Sequence, residues 1–195
     1  MNFTNRHMIR GHSRDSELMW EISLGRQAAL RQLIDRYMAV VSRTAYRILC
    51  DRPDSENVTR KVFMKIWKNA SLYDGGISVP IWIYKITYDL CMECLLRRRI
   101  LDYFSIRPSV YEASAPDALS PEEDFITKET WAVFCRASQE LSAKQRAVFA
   151  FNELEGLSVS DTAAITGMTK EPVRSHMNAA AMKVRHELER YGKVR

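Results

Sequence analysis

SVSDTAAITGMTKEPVRSHMNAAAMKVR, the stretch from Ser158 to Arg185, decides how this chain is read. Ser158 stands at a helix N-cap with Asp161 three residues on, a capping-box arrangement. The helix it opens is short and closes near Thr166 and Gly167, where glycine permits a sharp reversal. Thr169 then caps a second helix, with Glu171 in its first turn and Pro172 early enough to be tolerated. Along that helix Val173, Met177, Ala180, Ala181, Val184 and Leu188 recur at helical spacing on one face. Arg174, Ser175, Asn178 and Arg185 lie off the stripe, free to meet a DNA groove, so the segment reads as a helix-turn-helix. A plain helical hairpin would share the apolar periodicity, and the rest of the chain has to decide between them.

The 195 residues, 46% of them hydrophobic, make one ordinary domain or two small ones. No apolar run approaches the length of about 18 residues that a membrane span needs, so no membrane insertion is expected. Met1 to Arg14 is polar and basic without an apolar core, so no secretory signal is visible. Cys50, Cys91, Cys94 and Cys135 are too few and too irregular for a disulfide scaffold, which favours a reducing cytoplasm. The net charge of +5 is unevenly spread. Residues 1–100 carry 17 basic against 10 acidic side chains, residues 101–140 carry 3 against 8, and residues 141–195 carry 9 against 6. Two basic blocks suited to a polyanion therefore flank an acidic middle that a polyanion would repel.

The pattern is helical nearly throughout. Leu30, Leu33, Ile34, Tyr37, Val41, Ala45 and Ile48 form an amphipathic stripe closed by the break at Asp51-Arg52-Pro53-Asp54. A second helix is expected from about Asp54 to Lys68, then a loop at Asp74-Gly75-Gly76. A third starts near Pro80, carries Ile83, Ile86, Leu90 and Cys94 inward and ends in Arg97-Arg98-Arg99. From about Leu101 the periodicity fails among prolines, serines and scattered acids. Helical signals resume at Trp131, Phe134 and Ala137, and Ser142 with Gln145 marks another capping box before Val148, Phe149, Phe151 and Leu154. The expected fold is all-α, with two small helical domains on a flexible linker, the C-terminal one holding the helix-turn-helix. The expected division is a tail at 1–14, a first domain at 15–100, an acidic linker at 101–125 and a second domain at 126–195.

Three stretches resemble one family, the bacterial sigma factors of the extracytoplasmic-function type within the sigma-70 superfamily. Asp54 to Trp67, DSENVTRKVFMKIW, is similar to the family's D-A-E-D-x-x-Q-x-x-F-x-x-x-W helix. Trp82 to Cys94, WIYKITYDLCMEC, followed by three arginines, looks like W-L-Y-R-I-A-x-N-x-x-x-D with its basic tail. Leu141 to Leu188 is similar to the L-x-x-x-Q-R…G-x-S-x-x-E-I-A…T-V-R-S-R helix-turn-helix. The resemblance runs over about residues 17–190 in the family's order.

It implies a factor that directs RNA polymerase core to promoter DNA, with no catalysis and no cofactor of its own, in the cytoplasm, held by an anti-sigma partner. It implies core binding by Glu56, Asn57, Arg60, Lys61 and Lys65. For the −10 element it points to Lys85, Tyr88, Asp89, Arg97, Arg98 and Arg99, with the loop 69–79. For the −35 element it points to Lys170, Arg174, Ser175, Asn178, Lys183 and Arg185. The acidic linker would thread toward the polymerase's RNA path.

The chemistry of these residues agrees with those roles. Opening a duplex requires compensation for unstacking, and aromatic platforms beside cations supply it. Trp82, Tyr84, Lys85, Tyr88 and Arg97–Arg99 provide that mixture, with Trp82 and Ile83 expected in the core and Tyr88 as the platform. Arginine pairs with guanine and asparagine with adenine, while Lys170, Lys183 and Arg185 are placed for phosphates.

The departures are equally concrete. Glu56, Asn57, Arg60 and Lys61 put cations where the family has acceptors, which changes the electrostatics of a docking face. Asp89 replaces a common asparagine and can only accept hydrogen bonds. Pro172, His176 and Ala179 also depart from the family's recognition helix. Cys91 and Cys94 form a C-x-x-C without a second ligand pair at zinc spacing, so a metal is not expected. The alternative reading is a sigma-like DNA-binding regulator, or an anti-sigma-binding mimic, that does not productively engage core.

Overall fold

The computed structural model describes residues 14–104 and 128–193, all of whose regular elements are helical. Most of the expected N-terminal tail and acidic linker lies outside the described residues. Four helices come first: α1 (Arg14–Ser23), α2 (Gln27–Leu49), α3 (Arg52–Asn69) and α4 (Val79–Tyr103). A 3-10 turn over Ala70–Leu72 follows α3. Four more follow: α5 (Lys128–Gln139), α6 (Ala143–Phe149), α7 (Val159–Thr166) and α8 (Lys170–Lys193).

The boundaries follow from local chemistry. Cys50 closes α2 in the left-handed conformation, and Asp51 caps α3 by accepting from the Asp54 amide at 2.9 Å, with Pro53 in the first turn. Ser142 and Gln145 make the expected reciprocal capping box at α6. Ser158 accepts from the Asp161 amide at 3.1 Å and donates to its carboxylate, opening α7. Gly167, at φ 69°, closes α7 with its N–H on the Ala163 carbonyl.

α4 differs from expectation. It runs past the arginines to Tyr103, because Ile100, Leu101 and Asp102 contain no helix breaker and the first proline beyond is Pro108.

The first four helices pack around Leu18, Leu33, Ile48, Val62, Ile66 and Ile83. α5, α6 and α8 meet around Phe134, Leu141, Phe149, Ala180 and Val184. The sequence pattern predicts two helical domains on a tether; the structure adds a core shared between them. Phe151, Ala147, Ala150 and Ile165 are buried in the same cluster as the first four helices, and α7 lies against α4. Complete burial of a ring such as Phe151 contributes about 1.5–3 kcal/mol. Cys50, at the end of α2, enters the other cluster, its Sγ 3.3 Å from Ser138 Oγ of α5.

Candidate nucleic-acid interface

The helix-turn-helix presents one polar face. Val173, Ala180 and Val184 bury the inner side of α8, and Lys170, Arg174, Ser175, Asn178 and Arg185 are exposed. At roughly 100° per residue, Lys170, Arg174, Asn178 and Arg185 fall within one arc of about 80°, with Ser175 about 60° beyond its edge. Glu171 lies 3.5 Å from Arg174 and gives it an exposed, easily exchanged partner. Lys183 lies off this arc. Its Nζ donates to the Glu140 carbonyl at 2.8 Å, at the end of α5, so it ties α8 to α5.

On α3, Asn57, Lys61 and Lys65 form an i, i+4, i+8 row of half-buried residues, while Glu56 and Arg60 are exposed. Glu56 is engaged by Arg52 at 3.1 Å. Asn57 and Lys61 line a groove of about 230 Å³ between α3 and α4, whose far wall includes Glu93, Cys94 and Arg97. The structure thus brings two candidate docking residues on α3 together with two candidate DNA contacts on α4, Arg97 and Arg98.

On α4, Lys85 is half-buried and Asp89, Arg97 and Arg99 are exposed. Arg98 differs from the expected solvent-facing cation. Its side chain is 6% exposed and pairs with Asp54 at 2.5 Å and Asp51 at 3.3 Å, while Nη1 donates to the Leu49 carbonyl. It fixes the α2–α3 corner to α4. Tyr88 also differs from the expected open platform. It is 7% exposed because its ring packs against Phe151, with centroids 6.2 Å apart. Ile83 is buried as expected, whereas Trp82 is half-buried and tilts against Tyr73.

The motifs did not reveal the cluster centred on Glu155. A π-helical turn over Ala150–Leu154 ends α6, and Gly156 at φ 68° turns the chain away. The turn directs the Glu155 carboxylate, 2% exposed, into a set of donors on α2 and α4. Arg47 reaches it at 2.7 Å, Thr44 Oγ1 at 3.1 Å, Arg43 Nη2 at 3.2 Å and Tyr84 Oη at 3.5 Å. Burial first, and then the Glu155 charge, push the Tyr84 hydroxyl up to about 12. The available signal in the sequence was the pair Arg43 and Arg47, one helical turn apart beside an apolar stripe.

Burial also pushes the Cys91 thiol up, and burial with the neighbouring Asp54 pushes Cys94 up to about 11. Both are therefore neutral thiols on a helix face. Among the described residues no group of His, Cys, Asp and Glu could hold a metal ion, and no helix is long and apolar enough to cross a membrane.

The model for sigma-70 region 2 matches residues 33–104, and that for sigma-70 region 4 matches residues 136–184. The chain belongs to the sigma-70 family. Among similar proteins is the ECF RNA polymerase sigma factor SigE of Mycolicibacterium smegmatis, 25% identical over 86% of this chain and 65% of that protein. This chain thus spans a little under two thirds of that relative's length. The ECF sigma factor SigL of Mycobacterium tuberculosis is 23% identical over 86% of this chain and 93% of its own. In solved structures, CnrH in complex with the cytosolic domain of CnrY matches with a TM-score of 0.66 at 18% identity, covering 91% of this chain and 98% of that one. RpoE in complex with the anti-sigma factor NepR, from Bartonella quintana, matches at 0.64 and 18%, covering 82% and 96%. These two likenesses concern the fold. The region 2 match falls on α2–α4, and the region 4 match takes in the last turn of α5, then α6, α7 and α8 as far as Val184.

Proposed function

We propose that this sigma-70 family member directs RNA polymerase core to specific promoters, acting as an initiation factor and not as a catalyst, in the cytoplasm. The observation that carries the reading is the presence of both regions, in order, on one chain whose α8 exposes a basic polar face. In this reading residues 15–100 form the unit that engages core and the −10 element, 101–125 the linker and 126–195 the −35 unit. Core docks on α3 through Glu56, Asn57, Arg60, Lys61 and Lys65. Lys85, Asp89, Arg97 and Arg99 track the −10 strand, Tyr88 stacks once uncovered, and Arg98 holds their helix in place. Arg174, Ser175 and Asn178 read bases at −35, with Lys170 and Arg185 on phosphates. An anti-sigma protein is the expected regulator, as the solved relatives include such complexes.

The alternative, a sigma-like regulator that does not use core, rests on Arg60 and Lys61, which place cations on the α3 face. Promoter DNA shift assays with and without core separate the two. Recognition that sharpens only with core supports the proposal, and equal recognition without core favours the regulator.

A further inference from the structure

The Glu155 cluster joins parts of the chain that the matched regions treat separately. All four side chains around the carboxylate are donors: two guanidinium groups, the Thr44 hydroxyl and the Tyr84 hydroxyl. Beside them, Tyr84 and Tyr88 hold the Phe151 ring, at centroid distances of 5.8 and 6.2 Å. Phe151 and Glu155 come from one turn of the C-terminal helices, and every group they touch in this set comes from α2 or α4. The Phe151 ring meets Tyr84 edge-on, at 82°, and Tyr88 at a tilt of 54°, and an anion with two oxygens lies on two arginines. Single-stranded nucleic acid offers the same two chemistries, an aromatic base for the tyrosines and a phosphodiester for the guanidinium groups.

We infer that Phe151 and Glu155 mimic one nucleotide, and that Arg43, Thr44, Arg47, Tyr84 and Tyr88 form a binding site for single-stranded DNA. In the closed chain this site is filled by the protein's own C-terminal unit. The mimic explains why Tyr88 is covered in the free protein. It also makes closure and strand capture mutually exclusive, because the carboxylate and a phosphate compete for the same guanidinium groups. The inference deepens the −10 role proposed above and rests on it for the identity of the ligand.

Its test uses the full chain, a fluorescent oligo(dT) as probe and small-angle scattering as the measure of closure. Glu155→Gln keeps size and removes the charge. It should expand the particle and tighten oligo(dT) binding by roughly tenfold, as expected if about nine molecules in ten are otherwise closed. The double substitution Arg43→Gln with Arg47→Gln should also expand the particle, yet leave binding no tighter than wild type. Combining it with Glu155→Gln should abolish the gain. Should Glu155→Gln fail to fold, Glu155→Asp keeps the charge but shortens the reach, and should shift both readouts in the same direction.

Expansion of Glu155→Gln without tighter binding would overturn the inference. Equal tightening by the arginine double variant would overturn it too, as would inorganic phosphate competing as well as the oligonucleotide at matched ionic strength. Promoter recognition with core is measured separately. If it failed while the oligo(dT) pattern held, the strand site would stand and the sigma-factor reading would fall.

Discussion

Within the run Arg97-Arg98-Arg99, the middle guanidinium reaches back to Asp51 and Asp54 while the outer two face solvent. Arg98→Met should therefore lower unfolding stability by about 2–3 kcal/mol in urea titration. That is less than a fully buried broken pair costs, since both carboxylates keep some solvent. Arg97→Ala and Arg99→Ala should leave stability within about 0.5 kcal/mol and instead reduce the salt dependence of DNA binding. Tyr84 gives a pH signature. Its hydroxyl keeps its proton to about 12 in the folded protein and loses it near 10 when unfolded. Its contribution is present below pH 10 and is lost as pH rises toward 12. Melting temperatures measured across that window should fall less steeply in Tyr84→Phe than in wild type.

At the scale of elements, α8 carries the specificity claim. Arg174→Ala should cost about 1–3 kcal/mol at one base position of the −35 site, read from a panel of single-base variants. A uniform loss across the panel would instead make Arg174 a phosphate contact. On α3, Arg60→Gln should tighten core binding or leave it unchanged, and clear weakening would show that the cation has its own partner.

Elements were legible wherever the signal was local. Ser142 with Gln145 and Ser158 with Asp161 cap as their spacing implies, and Gly167 turns as glycine does. The end of α4 was less legible, because polarity falls off there before helical propensity does. The three adjacent arginines were indistinguishable by type, since only the fold brings Asp51 and Asp54 to the middle one. Tyr88 and Glu155 lay beyond sequence reading for a similar reason. Their surroundings come from helices about 60 or more positions away along the chain, and neither periodicity nor a motif records that packing.

At the scale of the whole molecule, the two matched regions share one core and pack into a closed form. The ion pairs at Glu155 and the buried Phe151 ring hold that form, and partners that bind the open form would draw it open by mass action. The most direct measurement is run-off transcription by purified core RNA polymerase from the same source, with this chain added, on genomic fragments of that source. The account predicts stable association with core and new, defined start sites that depend on the added chain. Failure to associate with active core, with any inhibitory partner removed, would contradict it.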